Sequence, residues 1–186
     1  MPASARARGA PTPHRPVRWL LLALALVAGC EDLRVAAGAR DLLAHYQRCK
    51  LVDEGGALRH DREGRVDAVG PGRGTARCRQ GKALVTLRVT AVEAARLELV
   101  GPRALAPGEA GTYALRAFDG EGRELRVGRV AWQHGTELER VPRCPKDLPT
   151  CPDFLDSIQL RLASGARAGT MRACVGRCTA IRIGRR

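Results

Sequence analysis

Residues 70–89 read GPGRGTARCRQGKALVTLRV, and the fold turns on whether this run cradles a phosphate or closes a β-hairpin. A phosphate loop has glycine, four residues, Gly-Lys and then Ser or Thr, so that backbone amides and the lysine surround the anion. Here Ala76 stands where the first glycine is needed, and Ala83 follows Lys82. The next residues, ALVTLRVT (83–90), put Val85, Leu87 and Val89 on one side and Thr86, Arg88 and Thr90 on the other. That is a half-buried strand, whereas a nucleotide loop leads into a helix. The stretch predicts a hairpin, with no cofactor and no small-molecule substrate.

Five more runs alternate similarly: RLELV (96–100), TYALRAF (112–118), RVAWQ (129–133), SIQLRL (157–162) and TAIRI (179–183). Short period-2 runs punctuated by Gly, Pro and Asp predict an all-β antiparallel sandwich. ARDLLAHYQRC (39–49) is the one convincing helical run, although it can also lead into a strand. The opening stretch also has a partner. GTARCRQGKALVTLRV, from Gly74, lines up with GTMRACVGRCTAIRI, from Gly169, 95 residues later. YQRCKLVDEGG (46–56) echoes YALRAFDGEG (113–122). Two copies of one sandwich unit would produce both matches.

The first thirty residues, MPASARARGAPTPHRPVRWLLLALALVAGC, read as an export signal. Arg6, Arg8, Arg15 and Arg18 precede an apolar run, Trp19 to Val27, far shorter than the ~20 residues that span a bilayer. Val27-Ala28-Gly29-Cys30 resembles the lipobox of bacterial lipoproteins. The resemblance implies cleavage before Cys30, a diacylglycerol thioether on its sulfur and an acylated amine with palmitate-type chains. Each buried CH₂ of those chains contributes ~0.8 kcal/mol to anchoring. The expected location is the cell envelope, on the periplasmic or surface face of the outer membrane. Glu31 is not the Asp that favours inner-membrane retention in enterobacteria, so the inner membrane stays open.

The chain carries 32 basic and 19 acidic residues, a formal charge of +13, and aromatic residues make up only 3% of it. Its core must therefore rest on Leu, Val, Ile and Ala. Residues 1–29 hold four arginines and no acid, so the remainder stays basic at +9. Such charge attracts polyanions, yet arginines alternating with apolar residues also make an ordinary solvated strand face. Arg73, Arg77 and Arg79 share parity and, with Lys82, form the candidate polyanion stripe.

RLELVGPRALAPGEAGTYALRAFDGEGRELRVGRVAWQ, followed after an insertion by AGTMRACVGRCTAIRI, resembles the bacterial immunoglobulin-like domains of the intimin and invasin type. The shared features are the Pro107-Gly108 turn, the long second strand, the Asp119-Gly120 turn, the Val130-x-Trp132 strand and the closing Gly-Thr hairpin. The resemblance implies an immunoglobulin-like sandwich over 95–186 and a shortened, related β unit over 30–92, after a leader at 1–29. The shortened unit lacks the Trp-bearing strand. Domains of this type serve as spacers or as adhesive and binding modules, which implies a non-enzymatic role and a protein partner in the envelope or at the surface.

In an oxidising compartment, the six cysteines besides Cys30 are expected to form disulfides. Parity turns Cys49, with Gln47 and Leu51, and Cys78, with Ala76, inward, where a bond would cross two packed sheets. Closing that loop contributes about 3.6 kcal/mol in the chain-entropy model. Cys174 and Cys178 point outward on facing arms of one hairpin, and Cys144 and Cys151 end a loop. The expected pairs are Cys144–Cys151 and Cys174–Cys178, with cross-links between loop and hairpin as the alternative. Zinc on these four cysteines has poor spacing, and no metal is expected. Asp119 and Glu121 lie in Asp-Gly-Glu-Gly, first of all a tight-turn sequence and only secondarily a calcium edge. Ser157, Ser164, His45, His60 and His134 show no catalytic or metal-binding arrangement.

The expected protein is therefore a lipid-anchored envelope protein acting as a structural, adhesive or protein-binding module. The alternative is a basic lipoprotein that binds glycan, lipopolysaccharide or, least expected, nucleic acid.

Overall fold

The computed structural model describes residues 30–142 and 156–186. Among them every regular element is a strand. The first six are β1 (Cys30–Arg40), β2 (Gln47–Asp53), β3 (Leu58–His60), β4 (Val66–Ala68), β5 (Gly72–Gln80) and β6 (Ala83–Val92). Then follow β7 (Arg96–Val100), β8 (Ala104–Leu105), β9 (Ala110–Phe118), β10 (Glu124–Gly128) and β11 (Ala131–His134). The last four are β12 (Leu138–Arg140), β13 (Ser157–Leu162), β14 (Ala168–Val175) and β15 (Arg177–Arg185). The class is all-β, as the alternation predicts, and β7 and β13 fall on the predicted bounds.

The larger sheet runs β12-β13-β9-β10-β1-β6-β5-β2, with β7 also paired to β9. A second sheet runs β11-β14-β15-β8, and β3-β4 form a ribbon. β1 lies between β6 and β10 and is parallel to both. Sequence alternation missed this strand. Its AAGA stretch (36–39) is largely covered on both faces, so no polar residue alternates there, as is usual for a strand within a parallel region.

The helical alternative for 39–49 is not realised. Asp41 takes a left-handed φ of 49°, and turn bonds run from Ala44 N–H to the Asp41 carbonyl and from Tyr46 N–H to the Leu43 carbonyl. Leu42 and Leu43 are both buried, so the apolar pair plugs the core from a turn.

One hydrophobic cluster joins Leu33, Val35, Leu58, Leu87 and Val89 of the first six strands to Leu115, Leu125, Val127 and Val175 of the later ones. A second, built around Tyr113, Leu160, Met171 and Ile183, lies entirely in the later segment. Trp132 packs against both. Gly38 (φ +85°) of β1 and Gly176 (φ +63°) of the β14–β15 turn bring two backbones together. A Cβ on Gly176 would stand 2.4 Å from the Ala37 carbonyl oxygen, so only glycine fits without a shift. Three ion pairs tie β1 and the turn after it to the later segment: Arg34–Asp119, Arg126–Glu31 and Arg129–Asp41.

Candidate functional site: Cys30 and the basic strand face

The opening stretch forms the β5–β6 hairpin. Gln80 pairs with Ala83, leaving a two-residue loop, Gly81-Lys82. Only Gly81 has positive φ (61°), the pattern of a type II′ turn, whose twist suits a hairpin. Lys82 is an exposed side chain at the turn.

Cys49 and Cys78 are bonded, as are Cys174 and Cys178. Cys78 is fully buried and Cys178 is exposed, so the inward and outward assignments hold for those two residues. Two features differ from the sequence expectation. The Cys49–Cys78 bond joins β2 and β5, which are neighbours in one sheet, and does not cross between sheets. Gln47 also does not share the face of Cys49. Gln47 registers with Arg79 and Lys50 with Arg77, so Arg48 and Cys49 together oppose Cys78. Arg48 adopts φ 49°, and this bulge resets the alternation. Cys144, Cys151 and their pairing lie outside the described residues.

Cys30 opens β1 with an exposed, free thiol. Cross-strand register puts it in one row with Thr86, Arg77 and Lys50. Beside that row, towards the hairpin tip, Arg79 faces the exposed Leu84, and Lys82 follows in the turn. On the other side, Asp53, Thr75, Arg88 and Asp32 register together, so cation and acids offset there. Arg73 is farther along, opposite Thr90, which registers with Arg34. The four predicted cations are all exposed. They do not act as one uniform stripe: Arg77, Arg79 and Lys82 gather near Cys30, and Arg73 stands beyond the balanced row.

Asp119 belongs to a turn that occurs twice. In Asp61-Arg62-Glu63-Gly64-Arg65 and Asp119-Gly120-Glu121-Gly122-Arg123, Oδ1 of the Asp accepts the amides of the residues two and four ahead. Oδ2 accepts from the closing arginine's Nε, and each fourth-position glycine has φ near +78°. The true counterpart of 119–123 is therefore 61–65. The 46–56 echo shares only part of the geometry: Asp53 accepts the amide two ahead, from Gly55, but position 57 is Ala57, whose amide goes to the Glu54 carbonyl, so no arginine closes the turn. The shared D-x-E-G-R spacing was readable in the sequence. Burial alone would push the Asp119 carboxyl up, but donors from Arg123, Glu121 and Arg34 outweigh it and hold it well below the usual carboxylate range. Both its oxygens are occupied by N–H donors, which makes it the centre of a turn.

His45, His60 and His134 are exposed and dispersed, Ser164 is exposed, and Ser157 opens β13. Among the described residues, no three His, Cys, Asp or Glu side chains group to hold a metal ion. A groove of about 700 Å³ includes Asp41, Arg59, Asp61, Arg65, Asp67 and Arg129 in its lining. Its acids and bases neutralise one another in pairs such as Arg65–Asp61 and Arg129–Asp41.

No protein-family model matches the chain, and no curated protein matches it. Among solved structures, it is similar to the S-layer protein SbsC, domains 5-6, at 11% identity and a TM-score of 0.34, covering 83% of this chain and 92% of that one. It is also similar to SbsC domains 4-9, at 11% identity and TM-score 0.31, covering 84% of this chain and spanning 30% of that chain's length. Drosophila OTK, extracellular domains 3-5, is similar at 8% identity and TM-score 0.23, covering 85% and 58% of the two chains.

Proposed function

We propose that the protein is a lipid-anchored envelope module, held by Cys30, whose β-sandwich scaffold presents exposed strands and turns to a protein partner. The observation that carries this reading is the division of labour among the described cysteines. Four are bonded in pairs, and Cys30, at the end of the lipobox-like run, keeps an exposed free sulfur. Paired cysteines fit an oxidising compartment, and a free sulfur at that position fits thioether attachment. The basic face supports a second reading, a polyanion-binding lipoprotein, because Arg77, Arg79 and Lys82 have no ion-pair partner among the described residues.

Fractionation of a bacterial host expressing the full chain tests the anchor. Wild-type protein should sediment with membranes and take up labelled palmitate, and Cys30→Ser should be soluble and unlabelled. A Cys30→Ser protein that stays in the membrane with unchanged processing would refute it.

A further inference from the structure

We propose that the tip of the β5–β6 hairpin docks on the phosphate headgroups of an anionic lipid bilayer, so that the module lies against the membrane that anchors it. The inference rests on the reading of Cys30 as the anchor, and it adds an orientation and a second, electrostatic contact.

The cations of the hairpin tip gather beside Cys30. Cys30 and Arg77 flank Thr86 in one row, ~10 Å apart at ~4.8 Å per strand. Lys50, in the same row, extends the charge by one strand. The adjoining row adds Arg79 and the exposed Leu84, and the turn adds Lys82. Lys50, Arg77, Arg79 and Lys82 have no ion pair among the described residues, and no acid occupies these rows. The acids of this face, Asp32 and Asp53, sit in the next row and flank Arg88. A lipid on Cys30 therefore brings an unbalanced cluster of four cations, with one apolar side chain at its centre, to the headgroup layer. Each Lys or Arg held near an anionic surface contributes about 1 kcal/mol of attraction, so the cluster adds an electrostatic contact to the lipid attachment and sets the module's orientation. Arg73 lies four residues from Arg77, the nearest cation of the cluster, roughly 13 Å along the strand, which exceeds the ~8–10 Å screening length. It is outside the contact.

The test uses the full chain carrying Cys30→Ser, so that acylation does not contribute, floated with vesicles of phosphatidylcholine with or without phosphatidylglycerol. The leader is common to every variant, so differences between variants report the face. Arg77→Glu/Arg79→Glu/Lys82→Glu should weaken association with the anionic vesicles on the order of 100-fold, since three cations are lost. The matching Arg→Lys pair at 77 and 79 should keep it, and Arg73→Glu should change it by less than about threefold, being beyond a screening length. All the substituted side chains are exposed, and an unchanged thermal midpoint confirms that each variant folds. Equal association of the reversed and parent proteins, or equal losses for Arg73→Glu and the tip variants, would overturn the proposal. So would heparin or DNA binding that depends on the same residues and exceeds vesicle binding. Mass analysis of Cys30 in the wild-type chain reads the anchor separately. An unacylated Cys30 alongside tip-dependent vesicle binding would overturn the anchor and support the docking face.

Discussion

The β5–β6 and β14–β15 hairpins share one sequence pattern and meet opposite surroundings. The first leaves its turn open: a Cβ on Gly81 would meet nothing within 4 Å, and its cysteine bonds outward to the neighbouring strand β2. The second bonds to itself, Cys174 to Cys178, and presses its Gly176 turn against Ala37 and Gly38 of β1. A local pattern of Gly-Thr, glycine turn and alternating strand specifies the hairpin. What the hairpin does depends on what the topology sets beside the turn, water in one case and β1 in the other.

The disulfides give the largest expected difference between the two hairpins. Cys78→Ala opens a bond with a sequence separation of 29, and Cys174→Ala one with a separation of 4. In the chain-entropy model the losses are about 3.6 and about 2 kcal/mol, and the Cys78 site adds a small buried gap. Denaturant unfolding should rank them in that order, and a reversed order would mean that the self-closed hairpin carries more of the fold than its contacts imply.

The turns give the next effect. Gly176→Ala combines a left-handed φ with a backbone oxygen 2.4 Å from the new methyl. It should cost about 2–4 kcal/mol in thermal or denaturant unfolding. Gly81→Ala has the same sign of φ and open space, so about 1–2 kcal/mol is expected from the backbone alone. Equal costs would show that the contact with β1 is not tight.

The two D-x-E-G-R turns, at 61–65 and 119–123, form a second pair whose surroundings differ, and pH separates them. Asp61 and Asp119 both have carboxyls held below their ordinary values: in each, burial raises the value and N–H donors outweigh it. A lowered folded pKa means a contribution that is complete above the ordinary carboxylate range, about pH 4, and lost as pH falls below it. Only Asp119 also receives Arg34 from β1. Asp119→Asn should therefore flatten the acid limb of melting temperature against pH more than Asp61→Asn does. Indistinguishable slopes would argue that the Arg34 contact adds nothing.

The strand set was legible because one face of most strands is wet, so alternation survives in TLRVT or SIQLRL. The rest was lost for identifiable reasons. β1 is covered on both faces around Ala36, and its small residues give no period. The Leu42-Leu43 pair imitates a helix while plugging the core from a turn. The bulge at Arg48 shifts parity by one residue, which put Gln47 on the wrong face. For the candidate site, Cys30 and the exposure of Arg73, Arg77, Arg79 and Lys82 were readable. The grouping of three of them beside Cys30 was not, because it depends on a parallel pairing of Cys30 with Thr86 across 56 positions of sequence.

The smallest effect belongs to the residue that began the question. Lys82→Ala should alter stability by no more than about ±0.5 kcal/mol, as for an exposed turn side chain. Titration calorimetry with ATP or GTP should show no saturable binding, and micromolar binding abolished by Lys82→Ala would restore the phosphate-loop reading.

The proposed anchoring of this scaffold at Cys30 is tested most directly by the mass of the amino-terminal peptide of the protein extracted from host membranes. A lipid-anchored protein gives a peptide beginning at Cys30 and heavier by a diacylglyceryl group and an amide-linked acyl chain. A peptide beginning elsewhere, or an unmodified Cys30, would contradict it.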